Sequence, residues 1–179
     1  MSKSLLSIDI GIKNLGWSYI LYDPKKNETN LSISFDIYTI DEEHKKGKES
    51  TVVYRCRRIN EFFEQFEEGE IEDIVIERQV NTNTQAMSIM YALVMKAFEI
   101  LPKEHIHIFD PKLKFTFYNE AYSTKNKEHK KKSIDKAHTL LTLYYTDQLE
   151  KFNSFPKKDD ISDAINKGIT FLKMNKMIQ

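Results

Sequence analysis

One cysteine, one tryptophan, four prolines and five glycines are all that 179 residues contain of these types. A single thiol, Cys56, excludes an intramolecular disulfide, and no Cys/His cluster offers a thiolate metal site, so a reducing compartment is expected. No apolar run approaches the length of a membrane span, and the N-terminus lacks a charged stretch leading into a long apolar one. The expectation is a protein of the cytosol or nucleus that is neither secreted nor membrane-bound. An excess of charge is also missing: 27 Lys and Arg balance 27 Asp and Glu. That excludes a chain that binds nucleic acid by being basic all over.

What is present is an ordinary globular mixture, 40% hydrophobic and 30% charged, with eleven Phe and nine Tyr that suit strands. The length fits one domain, 1–179, with a sizeable core. Charge is segregated along the chain. Glu61 to Asp73 is acidic, whereas Lys112 to Lys136 gathers Lys112, Lys114, Lys125, Lys127, Lys130, Lys131, Lys132 and Lys136. A basic face on a neutral protein follows, unless these lysines form only a solvated loop.

Periodicity predicts strands over Ser4–Ile12, Leu15–Tyr22 and Leu31–Ile40, an antiparallel meander. A helix over Val52–Phe66 follows, with Cys56 packed within it, and Trp17 is expected in the core. Ile74-Val75-Ile76 reads as a short strand buried on both faces and ending in Glu77. A helix over Thr84–Leu101 has an apolar surface broader than one sheet contact needs, including Met87, Tyr91 and Met95. His105–Phe109 is a further strand, with His105 and His107 at its exposed edge. Lys112–Asn119 is open between helix and irregular chain. Ser123–Lys132 reads as a polar loop, and helices are expected over Ser133–Leu149 and from Asp159 to about Met174.

Four acids stand out against this frame. Asp9 sits near the end of an apolar strand, where an uncompensated charge is costly, and Gly11 follows closely. Glu77 ends the fourth strand. Asp160 and Asp163 are three apart, hence on one face of the last helix near its start. Singly each has a plain reading: a strand-end turn for Asp9, or a favourable helix-dipole position for Asp159-Asp160. Jointly, carboxylates from separated elements are what a pair of hard divalent cations needs, with one oxygen ligand shared between them.

The order of elements is that of the ribonuclease H-like α/β fold, a mixed five-stranded sheet with its first three strands antiparallel and helices flanking it. The chain resembles the RuvC-like Holliday junction resolvases, and within them the poxvirus branch, from about Leu5 to Ile169. SIDIGIKNLGW resembles the first motif, with Asp9 at its metal-binding aspartate. IVIERQ places Glu77 at the catalytic glutamate, and DDISDA places Asp160 and Asp163 at the paired aspartates. KKKSIDKA resembles the segment of the catalytic lysine, with Lys132 the best match and Lys131 the next. Bacterial members carry glycines in the loop before that lysine, and Ser123–Lys132 has none.

The resemblance implies a homodimer that nicks four-way and other branched DNA symmetrically, with Mg²⁺ or Mn²⁺, two ions per site, and no small-molecule cofactor. For the poxvirus branch it implies resolution of concatemeric genomes in the cytoplasm of the infected cell. Catalytic roles would fall to Asp9, Glu77, Lys132, Asp160 and Asp163, the four acids also holding metal. Lys125, Lys127, Lys130, Lys131 and Lys136 would contact phosphates without reading bases. Arg78, Gln79 and the Asn81–Thr84 turn are weaker candidates for DNA contact, since Thr82 or Asn83 also fits a helix cap.

Other classes stay in view. An actin-like kinase shares the first-strand D-x-G but needs a second domain and glycine-rich phosphate loops that five glycines do not supply. A non-catalytic branched-DNA-binding protein would not need all four acids. A nuclease of RNA–DNA hybrids shares the acid geometry, and substrate panels separate it from a resolvase.

Overall fold

The computed structural model describes residues 2–25, 31–41, 51–113, 117 and 126–178, with the side chains of 126 and 127 excepted. β1 (Lys3–Ile10), β2 (Asn14–Tyr22), β3 (Ser32–Thr39), β4 (Asp73–Glu77) and β5 (Ile106–Phe109) form one sheet in the order β3-β2-β1-β4-β5. The β1–β2 and β2–β3 pairs are antiparallel, and the β1–β4 and β4–β5 pairs are parallel. The helices are α1 (Thr51–Phe63), α2 (Thr84–Ile100), α3 (Asn126–Tyr144), α4 (Thr146–Ser154) and α5 (Asp159–Met174). This is the ribonuclease H-like arrangement expected from the sequence.

Alternation along the strands sorts side chains into two layers. Leu6, Ile8 and Ile10 of β1, with Leu15, Ile74 and Ile76, pack against Ile59, Phe62 and Phe63 of α1 and Ile89, Met90 and Leu93 of α2. Leu5, Ile20, Tyr22 and Val75 face the other way, onto Ala137 and Leu141 of α3, Phe152 of α4 and Ile161, Ile165 and Ile169 of α5. By the same parity Ser7 and Asp9 of β1 and Glu77 of β4 belong to the α5 layer. The parallel register pairs Ser7 with Val75 and Ile8 with Ile76, so its continuation sets Asp9 beside Glu77.

Helix α5 lies unusually close to the sheet, because the residues between them are small. Ser7 and Ser18, cross-strand partners, both donate to the Ala164 carbonyl oxygen, at 2.8 and 3.2 Å. A Cβ added at Gly168 would lie 2.7 Å from Ile20 Cδ1 and 3.2 Å from Ser7 Cβ. Gly16, the cross-strand partner of Asp9, meets the first turn of the helix: a Cβ there would be 2.4 Å from the Asp160 carbonyl oxygen. Gly11 has a different duty. Its N–H donates to Asn14 O at 2.9 Å, closing the tight β1–β2 turn.

Several expectations are revised. The segment read as a polar loop, Ser123–Lys132, is helical from Asn126 onward, so its lysines decorate the first turns of α3; residues 123–125 lie outside the described residues. Hydrophobic periodicity alone misses this start, because all of its first seven positions are polar or charged. The single helix expected over Ser133–Leu149 breaks at Tyr145, which is buried between α3 and α4. Helix α1 ends at Phe63, and Gly69, with φ of 77°, serves the turn that follows. Cys56 is exposed, because the buried side of α1 is made by Arg55, Ile59, Phe62 and Phe63. Trp17 is half-buried, its ring edge-on to Phe62 and Phe66. His105 and His107 both hydrogen-bond one oxygen of buried Asp73, at 3.1 and 3.0 Å. Most of Lys112–Asn119 lies outside the described residues. Among the described residues no helix is long and apolar enough to cross a membrane.

The close approach at Gly16 is directly testable. Gly16→Ala forces a backbone to move and should lower unfolding stability by roughly 1–3 kcal/mol, the usual cost of overpacking. Gly69→Ala, with open space around it, should cost about 1 kcal/mol from its left-handed backbone alone. Urea unfolding of the two variants compares them.

Candidate active site

Strand parity and the parallel register bring Asp9 and Glu77 side by side at the ends of β1 and β4. Both strands end here, so the chain turns away and leaves the carboxylates at the rim of the α5 layer. Asp9 is buried and Glu77 half-buried. Helix α5 adds Asp160 in its first turn and Asp163 one turn on, both directed along the face that meets β1 and β2.

Each acid is held by named partners. Lys157 donates to both oxygens of Asp160, at 2.8 and 2.6 Å. Ser133 Oγ of α3 donates to Asp163 Oδ1 at 2.7 Å, and Asn166 Nδ2 donates to Ser133 O and Oγ at 2.8 and 2.9 Å. This chain of bonds ties α3 to α5 and fixes the Asp163 carboxylate. Asp159 is also drawn in, through an ion pair with Lys130 of α3.

At the centre stands a group the acids alone did not announce. Lys167 Nζ donates to Ile8 O at 2.8 Å and Asp9 Oδ1 at 3.2 Å, and lies 3.1 Å from Glu77 Oε2. Its side chain has no exposed surface. In sequence Lys167 is four residues beyond Asp163 and seven beyond Asp160, so helix geometry sets all three on one face. That spacing was the available signal for it.

The electrostatics follow from this crowding. Burial first, then repulsion from Glu77, push the Asp9 carboxyl well above the usual carboxylate range, with Asp163 acting in the same direction and Lys167 against it. Burial also works against charge on Asp159, but the hydrogen bond from Lys130 prevails and holds its carboxyl below the ordinary value. The same bond raises the Lys130 ammonium, with Asp160 and Asp163 contributing. The centre is thus short of positive charge, and its donors are hard carboxylate oxygens.

Comparisons with known proteins bear on the family and the fold. The sequence matches the family profile described as Poxvirus A22 protein over residues 3–176. The chain belongs to the poxvirus A22 protein family. Among solved structures, this A22 protein is similar to fowlpox virus resolvase in complex with substrate Holliday junction DNA, at 17% identity and a TM-score of 0.70, covering 96% of this chain and 98% of that one. It is similar to Thermus thermophilus RuvC in complex with a Holliday junction substrate, at 16% identity and a TM-score of 0.61, covering 98% and 96%. The shared feature at these identities is the fold. No curated protein sequence matches this A22 chain.

Of the residues singled out in the sequence, Asp9 and Glu77 meet at Lys167, and Asp160 and Asp163 flank them on α5. As they stand, no three acids or imidazoles among the described residues form a ready metal-holding group. The lysines disperse along α3. Lys130 reaches Asp159, Lys131 and Lys132 are exposed on the helix surface, and Lys136 is half-buried. Lys125 lies outside the described residues, as does the side chain of Lys127. Asn83, not Thr82, caps α2, accepting from the Ala86 N–H at 3.2 Å. Beside Glu77 a groove of about 380 Å³ is lined by Arg78, Gln79, Val80, Asn81, Asp110, Pro111 and Lys112. Sequence reasoning missed Ser133, Asn166, Lys157 and Lys167, because polar residues on a helix declare no partner until the helices are packed.

Removing the hydroxyl that orients Asp163 should be felt in stability. Ser133→Ala takes a donor from the half-buried Asp163 carboxylate and one of two acceptors from the buried Asn166 amide, for roughly 1–3 kcal/mol. Chemical denaturation of the variant measures the loss.

Proposed function

We propose that this protein is a Holliday junction resolvase: a metal-dependent endonuclease that nicks four-way DNA junctions symmetrically, as a homodimer, in the resolution of concatemeric viral genomes in the cytoplasm of an infected cell. The observation that carries this reading is Asp9 beside Glu77 at the ends of two parallel strands, with Asp160 and Asp163 in the first turns of the helix packed against that end of the sheet. Membership of the A22 family and likeness to resolvases, two of them solved with junction DNA, support it.

The acids suit a hard divalent cation in donor type and in charge. Burial first, and then the like charge of Glu77, push Asp9 toward its protonated form, and a cation would relieve the second of these. Asp9, Glu77, Asp160 and Asp163 would hold Mg²⁺ or Mn²⁺, two ions being the reading for which four acids are suited. When bound, such ions activate water and neutralise charge on a phosphodiester.

The chain's own residues supply the remainder. Ser133 and Asn166 hold Asp163 in one orientation, so that little reorganisation is needed at the moment of reaction. A lysine of α3 would stabilise the developing charge on phosphate or leaving oxygen. Motif spacing favours Lys132, while geometry favours Lys130, whose ammonium stands beside Asp159 and is fully charged at neutral pH. Lys125, Lys127, Lys131 and Lys136 would serve as phosphate contacts. The groove beside Glu77, with Arg78 and Lys112 in its lining, extends the path a strand would follow.

Dimerisation is assigned to the outer face of α2, where Tyr91, Met95 and Phe98 remain 57%, 65% and 52% exposed although the helix buries Ile89, Met90 and Leu93 beneath them. A two-fold pair of sites matches the two equivalent strands of a junction.

The reading is tested by offering four-way junction, duplex, flap and RNA–DNA hybrid side by side with Mg²⁺. Junction nicking in paired, symmetric positions is expected; preference for hybrid would favour a hybrid nuclease, and binding without cutting a non-catalytic junction protein. Asp9→Asn and Glu77→Gln should each abolish cleavage while junction binding largely survives, since phosphate affinity comes from the lysines. Tyr91→Glu with Met95→Glu should give a folded monomer in sedimentation that no longer nicks both strands within one junction's lifetime.

A further inference from the structure

Lys167 is the one lysine with no exposed surface among the described residues, and its position is expensive. An ammonium taken out of water is stable only if its charge and its three N–H donors are matched. Here three acceptors match them: Ile8 O at 2.8 Å, Asp9 Oδ1 at 3.2 Å and Glu77 Oε2 at 3.1 Å. All are oxygen, two belong to carboxyl groups, and they come from the ends of the two strands that frame the site. An ammonium bound in this way is held as a small hard cation would be held.

The packing of α5 is what allows it. Lys167 precedes Gly168, whose missing side chain lets the helix settle onto Ser7, Ser18 and Ile20. At the wider spacing a larger residue would impose, the ammonium would stop short of the strand ends. Ser7 and Ser18 fasten the same turn by bonding Ala164 O. The residues that bring Asp160 and Asp163 to Asp9 therefore also drive Lys167 between Asp9 and Glu77.

We propose that Lys167 is a resident cation of the carboxylate site, a positioning residue that holds Asp9 and Glu77 together before any divalent ion arrives and lowers the site's affinity for that ion. The proposal rests on the reading of Asp9 and Glu77 as metal ligands and adds a property to it. Without divalent ions, Lys167 offsets the repulsion between the two acids and keeps them at one place. A divalent ion that binds these acids must share them with a fixed positive charge or displace it. The site is therefore tuned to take its metal weakly, and to gain it most readily when the negative charge of a bound phosphodiester adds to that of the acids.

The test uses the full chain without DNA and reads Mn²⁺ binding by electron paramagnetic resonance, with thermal melting as the second readout. Lys167→Met keeps the length of the side chain and removes its charge. It should bind Mn²⁺ at least about tenfold more tightly than the wild type, one tenfold step being about 1.4 kcal/mol. In EDTA it should melt roughly 6 °C or more below the wild type, because breaking a buried pair strands its partner charges.

The double variant Lys167→Met with Glu77→Gln should recover much of that loss, as charge compensation requires; a merely packing role predicts losses that add. Should Lys167→Met alone fail to fold in EDTA, a double variant that folds supports the proposal and one that also fails overturns it. Equal or weaker Mn²⁺ binding by Lys167→Met, with the wild type binding normally, overturns the resident cation and leaves the metal site standing. Mn²⁺ held by neither protein, with or without junction DNA, overturns both.

Discussion

The closeness of the last helix to the first two strands is the constraint on which this molecule depends. It is made of absences. Gly16 and Gly168 have no side chain to interpose, and Ser7 and Ser18 have only a hydroxyl each, which they give to one helix carbonyl. An apolar sheet face of Val and Ile would hold a helix about 10 Å away, the usual separation of packed layers. The same contact surface here is thinner over β1 and β2, and the chemistry collects there. Hydrophobic burial around it, from Leu5 and Ile20 to Ile165 and Ile169, supplies the free energy that keeps the helix down.

Charge crowding is the consequence. Two carboxylates stand at strand ends and two on the nearby helix, and burial together with Glu77 shifts the Asp9 carboxyl toward its neutral form. The protein answers with ammonium groups placed one by one: Lys167 between Asp9 and Glu77, Lys157 on Asp160, Lys130 on Asp159. A neutral overall composition hides this pairing. The chain is not a weakly charged protein but one whose opposite charges are spent locally, with Lys167 among the acids and Lys130 and Lys157 at their edge.

The two faces of the sheet divide the labour. On the α5 side, small and polar residues interrupt the core and build the site. On the other side, β1 and β4 meet α1 and α2 through Leu6, Ile8, Ile74, Ile76 and a cluster of Phe62, Phe63 and Phe66. That layer is a rigid backing. It also leaves α2 with an outer face of Tyr91, Met95 and Phe98, apolar surface that the fold itself does not cover. Under the proposed function, the acids on one face and this apolar surface on the other would let two copies act on one junction.

The element order was legible in the sequence because strand alternation and helical spacing are local and repeat within a few residues. Asp9, Glu77, Asp160 and Asp163 were legible too, as charges in contexts that ordinarily exclude them and in wording close to known motifs. The start of α3 was not, since Asn126 to Lys132 carries almost no apolar periodicity and its helix exists by contact with α5. Nor were the roles of Ser133, Asn166 and Lys167, although Lys167 shares its helix face with the two aspartates. Sequence by itself determined which residues alternate, which face a helix turns inward and how many acids the chain holds. Tertiary structure decided which lysine neutralises which acid, because that depends on distances of a few ångströms between elements up to 159 residues apart. No local pattern encodes such distances; they are set by how small the residues between a helix and a sheet happen to be.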